Sequence, residues 1–259
     1  MKGNNSDPFL SSSFIRVSIR TPAYQAPCIN LHIRSKSSKP PNRSTMSQQE
    51  QLSQLTARTA SFPETFRNQL ADGHVKFMSS WDPSKTIQVG DKLPEFRLTD
   101  ATGKEVTSDS LLAKGPLLIT FYRGEWCPFC NIAIAFLQKH LPEFQARGVT
   151  LVAISPELPN NNMTTTEKHA LQFPVLTDLH NAFARKLGIV YDQSSAKDLH
   201  KSLGIDLNAR NGDGTWEVPI PATLLVDKDG IVRNTAIDPD FKVRLDPKQA
   251  VEWIDAMQK

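Results

Sequence analysis

Two cysteines stand three apart in FYRGEWCPFC, residues 121–130, with Pro128 between them. Such a pair serves as half a metal site, as an inert structural bridge, as a dithiol that exchanges disulfides, or as a sulfur that attacks peroxide. The apolar run PLLITFY (116–122) leads into it, and Ile132, Ala135, Phe136 and Leu141 recur at helical spacing behind it. The pair therefore falls at a strand-to-helix turn. Unpaired N–H groups and the positive end of the helix dipole there favour thiolate, the reactive form, over thiol. Arg123 lies four residues before Cys127 and adds positive charge. Pro128 suits the first position of a helix because it has no N–H to leave unpaired. The short spacing lets the sulfurs close a small disulfide loop, which makes oxidation reversible.

A metal fits poorly. Tetrahedral zinc takes four ligands and C-x-x-C supplies two. Cys28, the third cysteine, lies far upstream, and His169, His180 and His200 are scattered, each read as a surface or locally bonded residue. No metal or cofactor is expected. An inert structural pair would need neither the turn nor the flanking arginine. Glu125 reads as an exposed turn carboxylate, and Trp126 as a wall packed beside the sulfurs.

The elements that position the pair alternate in type. Phe96, Leu98 and DATGK suggest a hairpin turning at 101–103, and Leu111 and Leu112 a short helical turn. VTLVAIS (149–155) and FPVLTD (173–178) are apolar strands, and NAFARKLGI (181–189) is a short helix ending near Gly188. ATLLVDKDGIVRNTAID (222–238) is two strands about Asp229-Gly230, and Asp246-Pro247 caps a last helix to Met257. The expected class is α/β, a central twisted mixed sheet with helices on both faces. Residues 191–217 form a long polar excursion, placed either over one edge of the site or at a pairing surface.

The chain divides on composition into 1–45, 46–87 and 88–259. In 46–87, Leu52, Leu55, Phe66, Leu70 and Val75 recur at mixed three- and four-residue intervals around Pro63, which predicts one or two helices packed on the main domain. Residues 1–45 carry seven Lys/Arg against the single acid Asp7, a net +6, which leaves −3 for the rest of a chain whose total is +3. A mildly acidic body without a basic stripe argues against nucleic acid as a partner. The Arg/Ser-rich, acid-poor leader is read as disordered, with an organelle transit peptide as the alternative. Its alternation of Ile15, Val17 and Ile19 with polar residues does not favour the amphipathic helix such a peptide uses. No apolar run approaches the ~20 residues of a membrane span. Three cysteines are too few for a secreted disulfide framework. The expected location is cytoplasmic, with mitochondrial as the alternative.

A strand feeding W-C-P-x-C at a helix start resembles the thioredoxin-fold superfamily. GDKLPEFRLTDATGK, GPLLITFYRGEWCPFCN, VAISPE, FPVLTD and PIPATLLVDKDGIV together resemble the peroxiredoxin-like branch of the alkyl hydroperoxide reductase and thiol-specific antioxidant (AhpC/TSA) family, over residues 88–259. The resemblance implies a thioredoxin-like fold and a cis proline facing the cysteines, which matches Pro221, with Pro219 as the nearby competitor. It also implies, in P-x-x-x-T/S-x-x-C, that Cys130 holds the peroxide-attacking position. Cys127 then replaces the hydroxyl residue, Arg123 the proline, and Pro221 the arginine before the late strand. Arg244, in DFKVRLDP, matches a basic position in the closing stretch and is read as structural. Thr223 is read either as orienting a backbone group near Pro221 or as an ordinary strand threonine.

Three functions follow. The first is a thiol peroxidase in which Cys130 attacks hydrogen peroxide or an organic hydroperoxide, Cys127 resolves the sulfenic acid, and thioredoxin or glutathione reduces the disulfide. The second is a dithiol oxidoreductase in which an exposed Cys127 attacks protein disulfides and Cys130 resolves. The third is a redox-regulated binding module with little turnover. The supporting residues in each are Arg123, Trp126, Pro128 and Pro221. The oligomeric state is left open.

Overall fold

The structure, a computed structural model, describes residues 45–259. The transit-peptide reading of the leader and Cys28 lie outside the described residues. Ser47 opens the first helix, α1 (Gln48–Thr59), through a reciprocal cap. Its hydroxyl accepts from the Glu50 N–H at 3.2 Å, and a Glu50 carboxylate oxygen accepts from the Ser47 N–H at 2.7 Å. Pro63 precedes α2 (Glu64–Ser80), and extended backbone at Trp81 ends it.

The expected hairpin forms from β1 (Arg97–Asp100) and β2 (Glu105–Thr107), followed by α3 (Ser108–Leu112). Alternating units follow: β3 (Leu117–Phe121), α4 (Pro128–Gln145), β4 (Thr150–Ser155), α5 (Pro159–Lys168), β5 (Val175–Thr177) and α6 (Ala182–Lys186). The chain closes with β8 (Ala222–Val226), β9 (Val232–Ile237) and α9 (Pro247–Met257). Asp246 caps α9 by accepting from Lys248 N at 2.9 Å. The main sheet runs β2-β1-β5-β4-β3-β8-β9. The β5-β4-β3 neighbours are parallel and the others antiparallel, so the sheet is mixed, as expected.

β3 is buried along its whole length, and its alternation feeds two cores. Leu117, Ile119 and Phe121 pack with Val152, Ile154 and Phe183, with Phe77 of α2 and Trp81 against them. Leu118 shares the other core with Leu52 of α1, Ile134, Leu137 and Phe144 of α4, and Ile254 of α9. Helices therefore cover both faces. Two sequence expectations shift in detail. The inward stripe of α4 is Cys130, Ala133, Ile134, Leu137, Leu141 and Phe144, while Ala135 faces out. Val75, assigned to the packed face of α2, is 66% exposed.

Residues 191–217 are more ordered than their polarity suggests. Between β6 (Val190–Asp192) and β7 (Glu217–Pro219), which pair as a separate ribbon, lie α7 (Lys197–Ser202) and α8 (Leu207–Asn211). Leu207, Trp216 and Val218 bury together, with Trp126 beside the cysteines packed against them. Of the two placements expected for the excursion, the structure shows cover over an edge of the site.

Candidate active site

The turn between β3 and α4 is held from several directions. Cys127 N donates to Gly124 O at 3.1 Å, and Trp126 Nε1 to Arg123 O at 3.1 Å. Asn131 Nδ2 donates to Glu125 O at 2.7 Å, and Glu125 N to Glu157 Oε2 at 2.7 Å. Gly124 sits at φ 137°, where a Cβ would lie 2.6 Å from Trp126 Nε1 and 2.7 Å from Glu157 Cδ, so only glycine fits. Glu157 is fully buried and accepts from Arg210 Nε of α8 at 2.6 Å, while Arg210 Nη2 reaches Glu125 at 2.9 Å. Lys168 of α5 also pairs with Glu125. Glu125 is thus no free turn carboxylate. Burial acts to raise its pKa, but the hydrogen bond and charge of Lys168, with Arg210, hold it below the usual range.

Cys127 is the N-cap of α4, Pro128 takes the first helical position, and Cys130 lies in the first turn. The two thiols are unbridged and almost fully buried. They are not equivalent. Cys130 lines a cleft of about 370 Å³ with Tyr122, Ile134, Pro221, Thr223 and Arg244; Cys127 does not line it. Arg244 Nη2 donates to Cys130 Sγ at 3.2 Å. Burial works against ionisation at Cys130, but the Cys127 S–H bond, the charges of Arg244 and Arg123 and a main-chain hydrogen bond from Arg123 outweigh it, so its pKa lies well below the thiol range. Burial pushes Cys127 the other way, and donating to Cys130 and facing its charge add to that rise. The surroundings therefore favour the thiolate at Cys130, with the Cys127 S–H as its hydrogen-bond donor.

Arg123 is 5% exposed, its guanidinium sandwiched 4.6 Å from the ring centres of Trp126 and Phe241. Its Nη2 donates to Gln193 Oε1 at 2.9 Å. Pro221, just before β8, shares the cleft with Cys130, and the Thr223 hydroxyl meets that of Thr120 at 3.2 Å beside it. Every site residue singled out from the sequence thus falls at this turn or on the cleft wall. The pattern missed Glu157, Arg210, Gln193 and Phe241, and it misread Arg244, which touches the sulfur. The carboxylate in VAISPE, beside a strand end that faces the dithiol turn, was the one available signal for Glu157. Nothing local distinguishes the others. The buried His200 bonds Ala196 O through Nδ1 at 2.8 Å and meets Trp126 edge-on; among the described residues no cluster of three His, Cys, Asp or Glu is placed to hold a metal.

A mixed sheet flanked by helices, with a buried dithiol on the first turn after a central strand, defines a thioredoxin-fold thiol protein. The chain belongs to the AhpC/TSA family, which matches residues 89–235. Over 104 residues it is 30% identical to a protein of Buchnera aphidicola subsp. Schizaphis graminum described as a peroxiredoxin, bcp; the match takes in 40% of this chain and 65% of that relative. It is 24% identical over 180 residues to the thiol-disulfide oxidoreductase ResA of Bacillus cereus, covering 68% of this chain and 85% of the other. Among solved structures, peroxidoxin BcpB of Mycobacterium tuberculosis superposes with a TM-score of 0.54 at 19% identity, over 67% of this chain and 99% of that one. Among the described residues no helix is long and apolar enough to cross a membrane.

Proposed function

We propose that the protein is a thiol peroxidase in which Cys130 attacks and Cys127 resolves. The Cys130 thiolate takes the hydroxyl oxygen of the hydroperoxide. The O–O bond breaks and leaves Cys130 as sulfenic acid, and the departing alkoxide or hydroxide takes a proton from water. The Cys127 thiol then displaces water from the sulfenic sulfur and forms the disulfide. Two electrons from a thiol reductant, thioredoxin or glutathione, restore both thiols. The cleft walls of Tyr122, Ala133, Ile134 and Val243 suit an organic hydroperoxide as well as hydrogen peroxide. By the same reading the reaction belongs to a reducing compartment, the cytoplasm or, through residues 1–45, the mitochondrion. A fluorescent protein fused behind residues 1–45 that stays diffuse in cells supports the first, and import into mitochondria the second.

The observation that carries the reading is the inequality of the sulfurs: the cleft and the Arg244 guanidinium both meet Cys130. The second reading, disulfide exchange led by Cys127, is favoured by the likeness to ResA. It needs a sulfur that a protein disulfide can reach, and Cys127 is 1% exposed.

The test is to reduce the protein, remove the reductant, add hydrogen peroxide and follow both thiols by intact mass. Thiol loss orders of magnitude faster than that of a free cysteine is expected. Cys127→Ser should keep the fast step and accumulate sulfenic acid, while Cys130→Ser should lose it. Oxidation no faster than a free thiol would leave the exchanger or a redox-regulated binding module. Fast oxidation in Cys130→Ser would reverse the two sulfurs.

A further inference from the structure

A second cavity, of about 30 Å³, lies beside Arg123. Arg123, Gln193, Tyr191 and Phe77 contribute to its walls, and Pro221 lines both this cavity and the peroxide cleft. A water molecule needs about 10–15 Å³ of such space, so there is room for one or two water-sized bodies or a single halide.

Gln69, His74 and Tyr191 also line the cavity, but its two buried polar side chains, Arg123 and Gln193, leave donors unmet. Arg123 and Gln193 are 5% and 3% exposed. The bond from Arg123 Nη2 to Gln193 Oε1 fixes the amide, which leaves Gln193 Nε2 as a pure donor. Gln193 Nε2 and Arg123 Nε are both buried and meet no acceptor in the protein. No carboxylate lines the cavity, and among the described residues none forms an ion pair with Arg123. A buried cation with unanswered donors is costly unless something accepts from them. Water accepts but must also donate, whereas an anion only accepts.

We propose that this cavity binds a small monovalent anion of halide size, held by Arg123 Nε–H and Gln193 Nε2–H. Chloride is the abundant biological ion of that class. Its effect on chemistry rests on Cys130 being the nucleophile; its binding does not. Arg123 is one of the two cations that favour the Cys130 thiolate. An anion beside it offsets part of that field, so occupancy slows peroxide attack. The reciprocal must also hold: once Cys130 is oxidised and uncharged, Arg123 loses its counter-charge and the anion binds more tightly.

Two experiments decide it. Crystals soaked in bromide should show an anomalous peak within hydrogen-bond distance of Arg123 Nε and Gln193 Nε2; water alone there at high bromide would overturn the proposal. In solution, Trp126 fluorescence is followed as chloride replaces gluconate at constant ionic strength. A saturable change is expected, several-fold tighter in the disulfide form than in the dithiol form. It should vanish in Gln193→Glu, which keeps the Arg123 bond and supplies the negative charge from the protein. A response that follows ionic strength alone, or that persists in Gln193→Glu, would also overturn it. Neither readout involves peroxide, so a failed peroxidase assay and a failed anion site are separate results.

Discussion

At Cys130 the competition is between burial, which disfavours any charge, and three groups that favour it. A hydrogen bond with one ionised partner contributes about 1.5–3 kcal/mol, more than a neutral one. The Cys127 S–H bond favours the thiolate most, and the bond from Arg244 Nη2 at 3.2 Å adds a second charge-assisted contact to it. Arg244→Met keeps the stem and removes the guanidinium. Peroxide-driven thiol loss at pH 7 should fall roughly ten- to hundredfold, the range that such a bond spans. The deficit should close as pH rises into the ordinary thiol range, because the thiolate then forms without help. A rate unchanged at pH 7 would remove Arg244 from the mechanism. The dithiol and Arg123 were readable from the sequence because the chemistry and its spacing lie within eight residues. Arg244 was picked out but its contact with the sulfur was not, since 114 residues separate the two and only tertiary folding of the loop before α9 joins them.

At the scale of elements, the strands and their order of appearance were legible because β3, β4 and β8 are short apolar runs between turn residues. The inward face of α4 was read less well. With Cys130 facing inward, the buried stripe follows at 133, 134, 137 and 141, a phase that the sequence alone does not set. The segment from β6 to β7 was the least legible. Beyond its own small cluster around Leu207 and Trp216, it is tied down by ion pairs from Arg210 to Glu125 of the dithiol turn and to Glu157 in the turn before α5. Arg210 is its main tether, bonding Glu157 and Glu125 together. Arg210→Ala leaves a buried carboxylate unpaired, a change that costs about 3–5 kcal/mol. Amide exchange across 190–219 and alkylation of Cys127 should both accelerate; unchanged exchange there would show that Trp216 and its neighbours hold the segment alone. Glu157 also predicts a pH trend. Burial is the largest influence on it and raises its pKa above the ordinary glutamate value, despite the charge of Arg210. A raised carboxyl contributes stability below the unfolded-state pKa and loses it as pH rises through the folded value. The stability of the wild type relative to Glu157→Gln, from urea unfolding, should therefore shrink as pH is raised from about 4 to 7.

For the molecule as a whole, the two redox forms should differ in stability, and the sign can be argued. Closing a four-residue loop with a disulfide adds about 2 kcal/mol by restricting the unfolded chain. Against it stands the loss of the Cys130 thiolate. That removes two charge-assisted bonds to the sulfur, from Arg244 and from the Cys127 S–H, each about 1.5–3 kcal/mol. It also takes the counter-charge from Arg123, which is buried between two aromatic rings without a carboxylate. The losses exceed the gain, so the dithiol form should be the more stable at neutral pH. Because the folded pKa of Cys130 is depressed, its contribution is fully present above the unfolded thiol value, about 8.5, and is lost as pH falls through the folded value. Guanidinium unfolding of the reduced and oxidised proteins should therefore give a higher midpoint for the reduced form at pH 8. The gap should narrow on acidification and close or reverse once Cys130 is protonated in the native state. A disulfide form that is more stable at every pH would mean that the two guanidiniums find other counter-charges when the thiolate is gone, and that the dithiol turn refolds around them.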